Sequence, residues 1–450
     1  MEQFIFHPRL EGLVQAAGRE LHAALPARPL HPVRALDGKA MELASRDARL
    51  RAALLRLVDV TPACNSLDDL ARHLAGYLDE VGQRPQPVEA AMKVADTAAG
   101  RRALGAAAAH GVRHMAHRFI VGTSPRSALG VLSGLWEAGA ASSVDLLGEA
   151  TVTQEEADRY AERCIEALDT LSAAARGWPD RPMLEADSIG PLPRVNLSIK
   201  VSALTPLMRP EAPEVGRDDA ARRLRPLLRR AKELGAHLHI DMESLDALET
   251  TLELVWQLLD EAEFADGPSA GVVLQAYLRE SPEQLDRLLA WARSSSRTPP
   301  LTVRLVKGAY WDHEVVEARQ HGWRPPVFEE KADSDRNFEA LTCRLLDARP
   351  TVRVAVASHN LRSVALAVAY NRLTGAADRD LELQVLRGLG DDLQEALVER
   401  GLRVRSYCPV GDLMAGMAYL VRRLLENTSN DSFLGELGRG APIEELLTPP

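Results

Sequence analysis

The residues best placed to do chemistry fall in Leu301–Trp311, LTVRLVKGAYW. The run opens apolar and β-branched, the composition of a buried strand. It then delivers Arg304, Lys307, Gly308, Tyr310 and Trp311 within eight positions. Two cations on so apolar a strand cost on the order of several kcal/mol to bury unless an anion compensates. Gly308 lets a bound group approach the backbone, and the two aromatics that follow can cover it. Such a stretch suits recognition of a large, planar, anionic ligand at the C-terminal end of a strand. The plainer alternative is an edge strand with solvated charges.

The elements that would have to position these groups begin at residue 138. Eight strand-like runs alternate with helical or longer connections: Ser142–Ala150, Arg194–Leu204, His237–Ser244, Gly271–Leu278, Leu301–Tyr310, Val352–Asn360, Leu381–Gly388 and Val404–Gly411. Alternation of this kind implies parallel pairing through right-handed crossovers. Eight units over residues 138–435 predict a (β/α)₈ barrel. A doubly wound open sheet is the alternative, but no GxGxxG follows the first strand. In a barrel, functional groups gather at the C-terminal strand ends. Here those ends carry Glu149, Lys200, Asp241 with Glu243, Gln275, Arg304 with Lys307, Ser358-His359-Asn360, Gln384 and Tyr407. Nearly every run starts apolar and finishes polar, which predicts one shared mouth.

Residues 1–137 read as an almost wholly helical arm. Ala40–Leu57 has helical apolar spacing, and Ser66 precedes a helix with Asp69 three positions on, an N-cap pattern. His110, His114 and His117 share a helix face, but HGVRHMAHR offers neither a further ligand nor a catalytic Glu, so a polar face is expected. Ala220–Leu234 carries five arginines among acids and reads as a solvated face. A final helix, Leu413–Asn427, bears adjacent Arg422 and Arg423, two forks suited to a carboxylate. Residues 436–450 turn Gly- and Pro-rich and resemble a linker at a domain boundary.

Composition narrows the class. Of 450 residues, 46% are hydrophobic and 26% charged, ordinary for a globular protein. A net charge of −10 argues against nucleic-acid binding. No apolar run reaches the roughly twenty residues that span a bilayer, and MEQFIFHPRL lacks the pattern of a signal peptide. Cys64, Cys164, Cys343 and Cys408 are scattered, which fits reduced thiols in the cytoplasm.

The strings VDLLGEA, NLSIKVSAL, LHIDMES, VVLQAYL, VRLVKGAYWDHE, SHN, YCPVG and YLVRRLLEN followed by NDSF occur in order over about residues 143–434. With them the chain resembles the proline dehydrogenase domain of the proline utilization A (PutA) flavoproteins, and LRLVDVTPA and LARHLAGYL resemble the helical arm ahead of it. The resemblance implies a distorted (β/α)₈ barrel that holds FAD noncovalently. It would oxidise L-proline to Δ1-pyrroline-5-carboxylate, with hydride passing from proline C5 to flavin N5 and electrons on to a membrane quinone. Carried over motif by motif, Lys200, Arg422 and Arg423 would hold the proline carboxylate, with Asp241 beside Lys200. Tyr310, Leu386 and Tyr407 would pack the pyrrolidine ring, and Glu149 would pair with the arginines as a gate. Gln275, Arg304, Val306, Lys307, Gly308, Ala309, Trp311, Lys331, Ser358, His359, Asn360, Gln384, Glu426 and Phe433 would line the FAD, with Asp241 and Tyr407 adjoining. The implied setting is cytoplasmic, peripheral at the membrane, with a pyrroline-5-carboxylate (glutamate semialdehyde) dehydrogenase as domain or partner.

Three departures qualify the match. PVFEEK stands where many relatives have PVFTRK, so Glu329 and Glu330 unsettle the phosphate contacts of that loop and only Lys331 is retained. Arg387 replaces a frequent His, and Ser358 a Thr. No basic ribbon-helix-helix segment precedes the arm and no aldehyde dehydrogenase module follows the barrel, so neither DNA binding nor the second oxidation is expected. Among rivals, a metal-dependent hydrolase draws on the HxH pair His237 and His239, which lies early in its strand, and a Schiff-base lyase on Lys200 or Lys307. A catalytically idle binding scaffold is the third.

Overall fold

The computed structural model describes residues 8–26, 48–81, 89, 93, 97–148, 151–412, 416 and 441–450. Eight parallel strands close into a barrel in chain order. They are β1 Ala141–Leu146, β2 Asn196–Lys200, β3 His237–Asp241, β4 Ser269–Gln275, β5 Leu301–Val306, β6 Val352–Ala357, β7 Leu381–Leu386 and β8 Val404–Val410. The ring shuts where β8 pairs with β1, Ser143 opposite Tyr407 and Asp145 opposite Pro409.

The period of two along each strand divides its residues between two layers. Val144, Leu197, Ile199, Leu238, Ile240, Val303, Leu305, Val354, Val356, Leu383 and Val385 turn outward into one apolar core under the helices. Burying each such side chain contributes about 1.5–3 kcal/mol, and Leu197→Ala would cost about 2–5 kcal/mol. The alternate residues fill the barrel and are largely polar: Ser143 and Asp145 on β1, Asn196 and Ser198 on β2, His237, His239 and Asp241 on β3, Arg304 on β5, Arg353 on β6, Glu382 and Gln384 on β7, Arg405 on β8.

All eight expected strands are present, but they end earlier at the C-terminal side than the sequence pattern suggests. Val201–Ala203 is a single 3₁₀ turn, and Lys307–Tyr310 and Ser358–Asn360 are loop. The physical reason is the strand-to-helix turn itself. Gly308 has φ +137°, and a Cβ there would run into the Tyr277 ring. Asn360 leaves the sheet to cap a helix, its side chain accepting from Ser363 N–H at 3.0 Å.

Before the barrel lie α1 Pro8–Ala24, α2 Ala48–Val60, α3 Leu67–Asp79, α4 Ala98–Phe119 and α5 Pro125–Glu137. Ser66 caps α3 as expected, accepting from Asp69 N–H. Helices α2 and α3 share an apolar cluster of Leu50, Ala53, Leu57, Leu70, Leu74 and Leu78, with Leu104 of α4 against it. On α4, His110 and His117 are exposed, the solvated face that the sequence suggests. Helices α1 and α5 behave differently from the arm: Leu10, Val14, Leu21, Ala128 and Leu132 belong to the barrel core.

The crossovers are α6 Gln154–Ala175, α7 Pro213–Leu234, α8 Leu245–Leu259, α9 Ser281–Ser294, α10 Trp311–Gln320 with α11 Lys331–Asp347, α12 Leu361–Leu373 and α13 Asp391–Glu399. The arginines of α7 have carboxylate partners, Asp219 for Arg222, Asp158 for Arg223, Glu261 for Arg225, Glu263 for Arg229 and Asp169 for Arg230. A short helix, α14 Ile443–Leu446, lies in the described end of the stretch 436–450 that the sequence suggests as a linker. Leu446 and Leu447 are buried, and Arg362 of α12 donates both to Leu447 O at 2.8 Å and to Glu11 of α1 at 2.9 Å. Among the described residues no helix is long and apolar enough to cross a membrane.

Candidate active site

Four of the expected groups, Lys200, Asp241, Arg304 and Tyr407, converge at the C-terminal rim through one carboxylate. Asp241, at the end of β3, accepts from Arg304 Nη1 at 2.6 Å and from Ser198 Oγ at 2.8 Å on Oδ1. Its Oδ2 accepts from the Tyr407 hydroxyl at 2.6 Å, and Lys200 Nζ lies 3.8 Å away. Lys200 in turn donates to Asp145 Oδ1 at 2.7 Å. Arg304 stands under Tyr407 with its guanidinium carbon 5.3 Å from the ring centre, and its Nη2 reaches Ser143 Oγ at 3.3 Å. These contacts cross from β1, β2, β3, β5 and β8, so barrel closure itself assembles them.

The electrostatics are balanced. Lys200 and Arg304 face Asp145 and Asp241, two charges of each sign. Burial works against the Lys200 ammonium, but Asp145 and Asp241 outweigh it and hold its pKa above the ordinary value. Burial, Asp145 and Asp241 together push the Tyr407 phenol well up, so both groups stay protonated near neutrality. What the rim can do chemically is present a fixed cation and a clamped aromatic ring to a small anionic substrate.

Beside this cluster the exits of β4, β5 and β6 form a second wall. Gln275 Nε2 donates to Glu243 O at 3.0 Å. Among the described residues, Gln275 Oε1 and Arg304 Nε are both buried with no hydrogen-bond partner, one an acceptor and one a donor. Lys307 donates to Asp335 of α11, and Lys331 reaches the other oxygen of that carboxylate at 2.7 Å. Burial raises the Asp335 pKa, yet Lys307 and Lys331 hold it below the usual range. Val306 and Tyr310 pack on an apolar cluster with Met242, Tyr277 and Val327. Ala309 is exposed, and Trp311, 38% exposed, donates from Nε1 to Phe328 O at 2.9 Å. That bond, with Phe328 N–H on Tyr277 O at 2.8 Å, seats the loop 324–331 over the β4 and β5 exits. Glu329 of this loop pairs with Arg319 at 2.9 Å. His359 Nε2 accepts from Leu386 N–H at 2.9 Å and ties the β6 exit to β7. Ser358 Oγ accepts from Asn360 N–H at 3.1 Å.

The structure departs from the expected site in particular places. Gln384 does not reach the rim: its amide turns back along β7 to Glu382 Oε1 at 2.6 Å. Asn360 uses its side-chain oxygen as the α12 cap. Glu149, Arg422, Arg423, Glu426 and Phe433 lie outside the described residues. Asp145, Ser198 and Asp335 went unnoticed in the sequence. Asp145 had one signal, a carboxylate two residues after Ser143 and so on the same face of the strand. Asp335 had another, its i+4 spacing from Lys331. His237 and His239 sit at the opposite end of β3 and bond to one another, Nε2 to Nδ1 at 3.1 Å, away from the rim.

A closed parallel barrel whose strand ends converge on one charged, ring-walled mouth is the architecture of the barrel enzymes. Residues 128–436 match the model of the proline dehydrogenase family, and residues 11–119 that of the proline utilization A N-terminal domain. The chain belongs to the proline dehydrogenase family. It is 33% identical over 349 residues to the bifunctional protein PutA of Klebsiella aerogenes, covering 75% of this chain and 25% of that one. Proline dehydrogenase 1 of Bacillus subtilis subsp. natto is 28% identical over 332 residues, 73% of this chain and 92% of its own. Among solved structures, proline utilization A from Bdellovibrio bacteriovorus inactivated by N-propargylglycine superposes with a TM-score of 0.89 at 35% identity. That match covers 98% of this chain and 44% of the other. The chain thus spans about a quarter of the PutA relatives' length.

Proposed function

We propose that this chain oxidises L-proline to Δ1-pyrroline-5-carboxylate, the first step of proline breakdown toward glutamate. The observation that carries the reading is the meeting of Lys200, Arg304 and Tyr407 on Asp241 at the rim, in a chain of this family. FAD, held without a covalent bond, would supply the two-electron redox chemistry. The unpartnered Gln275 Oε1 and Arg304 Nε fit a flat heterocycle that offers a donor and an acceptor edge. Lys307 and Lys331, sharing Asp335, fit the charge of its phosphates.

The chain's own work is binding and orientation. Lys200 grips the proline carboxylate, with Arg422 and Arg423 as its expected companions. Asp145 keeps the Lys200 ammonium charged. Tyr407, fixed by Asp241, walls the pyrrolidine ring from one side, with Leu386, its register partner, alongside. Arg304 stabilises negative charge that develops near it. No side chain has to become a covalent nucleophile. Electrons pass on to a quinone at the membrane surface, and the product to a pyrroline-5-carboxylate dehydrogenase, as a domain or a partner.

The test is spectroscopic. Purified protein is yellow, bleaches anaerobically with L-proline and recovers with a soluble quinone, and Lys200→Met lowers kcat/KM for proline. A colourless preparation, or a yellow one that proline leaves unchanged, overturns the proposal.

A further inference from the structure

The helical arm ahead of the barrel carries a group of donors that the proposed reaction does not use. Helix α2 runs out through a single 3₁₀ turn, Thr61–Ala63, and Cys64 follows it. Ser66 then caps α3, whose first two turns present Asp69 and His73. The cap aims Asp69: its N–H is held by Ser66 Oγ at 3.1 Å, and its Oδ2 accepts from Asn65 N–H at 3.3 Å. His73, four positions on, shares that helix face, with Nε2 3.9 Å from Asp69 Oδ1. One ligand atom from each of Cys64, Asp69 and His73 lies within 4.8 Å of those of the other two.

The donor set selects the guest. A thiol, an imidazole and a carboxylate together suit zinc, which bonds sulfur at about 2.3 Å and nitrogen or oxygen at about 2.0–2.2 Å. Magnesium and calcium take oxygen ligands and have no use for the sulfur. At tetrahedral angles the zinc bond lengths set the donors roughly 3.4–3.6 Å apart, so side-chain shifts of about 1 Å or less close the shell.

The partners these donors have now are weak ones. Cys64 Sγ donates to Val60 O at 3.4 Å. Arg72 reaches Asp69 at 3.2 Å, but its side chain is 66% exposed and Asp68 stands 3.6 Å away as a second partner. The surroundings enclose the group on one side only. Cys64 and Tyr77 pack on the apolar cluster of α2 and α3, and the His73 ring lies 5.9 Å from that of Tyr77. The His73 side chain, 42% exposed, leaves the other side open for an ion to enter. Burial and the Asp69 carboxylate both hold the Cys64 thiol above its ordinary pKa, so thiolate and carboxylate repel until a cation joins them.

We propose that Cys64, Asp69 and His73 bind one zinc ion, with water as the fourth ligand. Binding replaces the thiol proton, which leaves to solvent. The ion ties the end of α2 to the first two turns of α3 and stabilises the arm, independently of the reaction at the rim. Cobalt(II), added to the purified chain after treatment with a chelator, is the probe. The expected result is a thiolate-to-cobalt charge-transfer band that saturates at one equivalent and disappears when zinc is added. Cys164, Cys343 and Cys408 are buried, so a sulfur band reports Cys64. Asp246, His313 and Glu317 also bring three donors this close, but with oxygen and nitrogen alone, and cobalt there gives no sulfur band. Cys64→Ser abolishes the band, and His73→Ala weakens zinc binding by at least roughly tenfold. Zinc raises the unfolding midpoint of the parent chain and not that of Cys64→Ser. In the unaltered chain, one equivalent of zinc slows alkylation of Cys64 by iodoacetamide, a readout that holds even where a variant fails to fold. The absence of a sulfur band, a band that survives in Cys64→Ser, or alkylation at an unchanged rate overturns the proposal.

Discussion

Replacing Asp145 by Asn removes one negative charge from the barrel mouth and changes almost nothing in shape. Lys200 Nζ stands 2.7 Å from Asp145 and 3.8 Å from Asp241. With an effective dielectric of about 20, the two attractions are roughly 6 and 4 kcal/mol before desolvation is subtracted. The nearer carboxylate therefore does more than half of the work of keeping a partly buried ammonium charged. Truncating one partner of such a pair typically costs about 3–5 kcal/mol. Because Asn keeps an acceptor for Lys200, a loss of about 3 kcal/mol at pH 7 is expected, read by urea unfolding. The second readout is the pH dependence of KM for proline. In the parent chain the folded Lys200 pKa is raised, so its stabilisation is complete below the ordinary lysine value and is lost only as pH climbs through the folded one. KM should consequently show no Lys200 titration between pH 7 and about 10. In Asp145→Asn, burial is no longer outweighed and the Lys200 pKa falls, so KM climbs with pH inside that interval. A stability change under about 1 kcal/mol together with a parental KM profile would refute the role given to this ion pair.

Four further outcomes follow from the same geometry. Tyr407→Phe loses a 2.6 Å bond to a carboxylate, worth about 1.5–3 kcal/mol, and should lower kcat/KM for proline roughly tenfold, measured by steady-state kinetics. Gly308→Ala forces a methyl into the Tyr277 ring at a φ that disfavours side chains. It should cost about 1–3 kcal/mol by thermal unfolding and reduce flavin content by absorbance. His237 and His239 are buried and neutral, so the unfolded chain binds up to two more protons, and stability should fall as pH drops below about 6.5 toward 3. The slope can reach about 2.7 kcal/mol per pH unit, and a flat denaturation profile between pH 6.5 and 4.5 contradicts it. Arg362→Leu strands Glu339 and leaves Glu11 and Leu447 O with only Gln15 as donor, so it should destabilise by about 3–5 kcal/mol and expose α1 and the C-terminal residues to limited proteolysis.

Much of the fold was legible because a barrel repeats one local instruction eight times. Each strand is a short apolar, β-branched run with polar residues behind it, and a period of two is visible within a single window. The strand ends were less legible. Polar residues at a rim do not announce whether they extend the sheet or leave it, so Met242–Ser244 and Ser358–Asn360 read as strand and fold as loop. The packing of the C-terminal residues was hidden for a related reason. Gly and Pro mark a chain that cannot continue a helix, but Leu446 and Leu447 are buried by α1 and α12, which lie hundreds of residues upstream and eighty-odd upstream respectively.

The candidate site divides along the same line. Lys200, Arg304 and Tyr407 stood out because a cation or phenol at the end of an apolar strand is locally anomalous. Asp241 stood out with them as a strand-end carboxylate, but its central role did not, since that comes from its partners: Arg304 is 63 residues away and Tyr407 is 166. Asp145 is 55 residues from Lys200 and looks, in its own window, like a polar residue in the wrong layer. A carboxylate inside a barrel is intelligible only when the register brings a cation to it. A slip of one residue in β1 would send Asp145 into the apolar layer beneath the helices and Val144 into the mouth. The polar interior therefore penalises wrong registers more than an apolar one could. Each misplaced strand would strand a charge at a cost of several kcal/mol, roughly, rather than merely repack a methyl group. The groups that hold the rim ready for a substrate are in this way the same groups that specify how the barrel closes, and a substitution among them is expected to move stability and KM together.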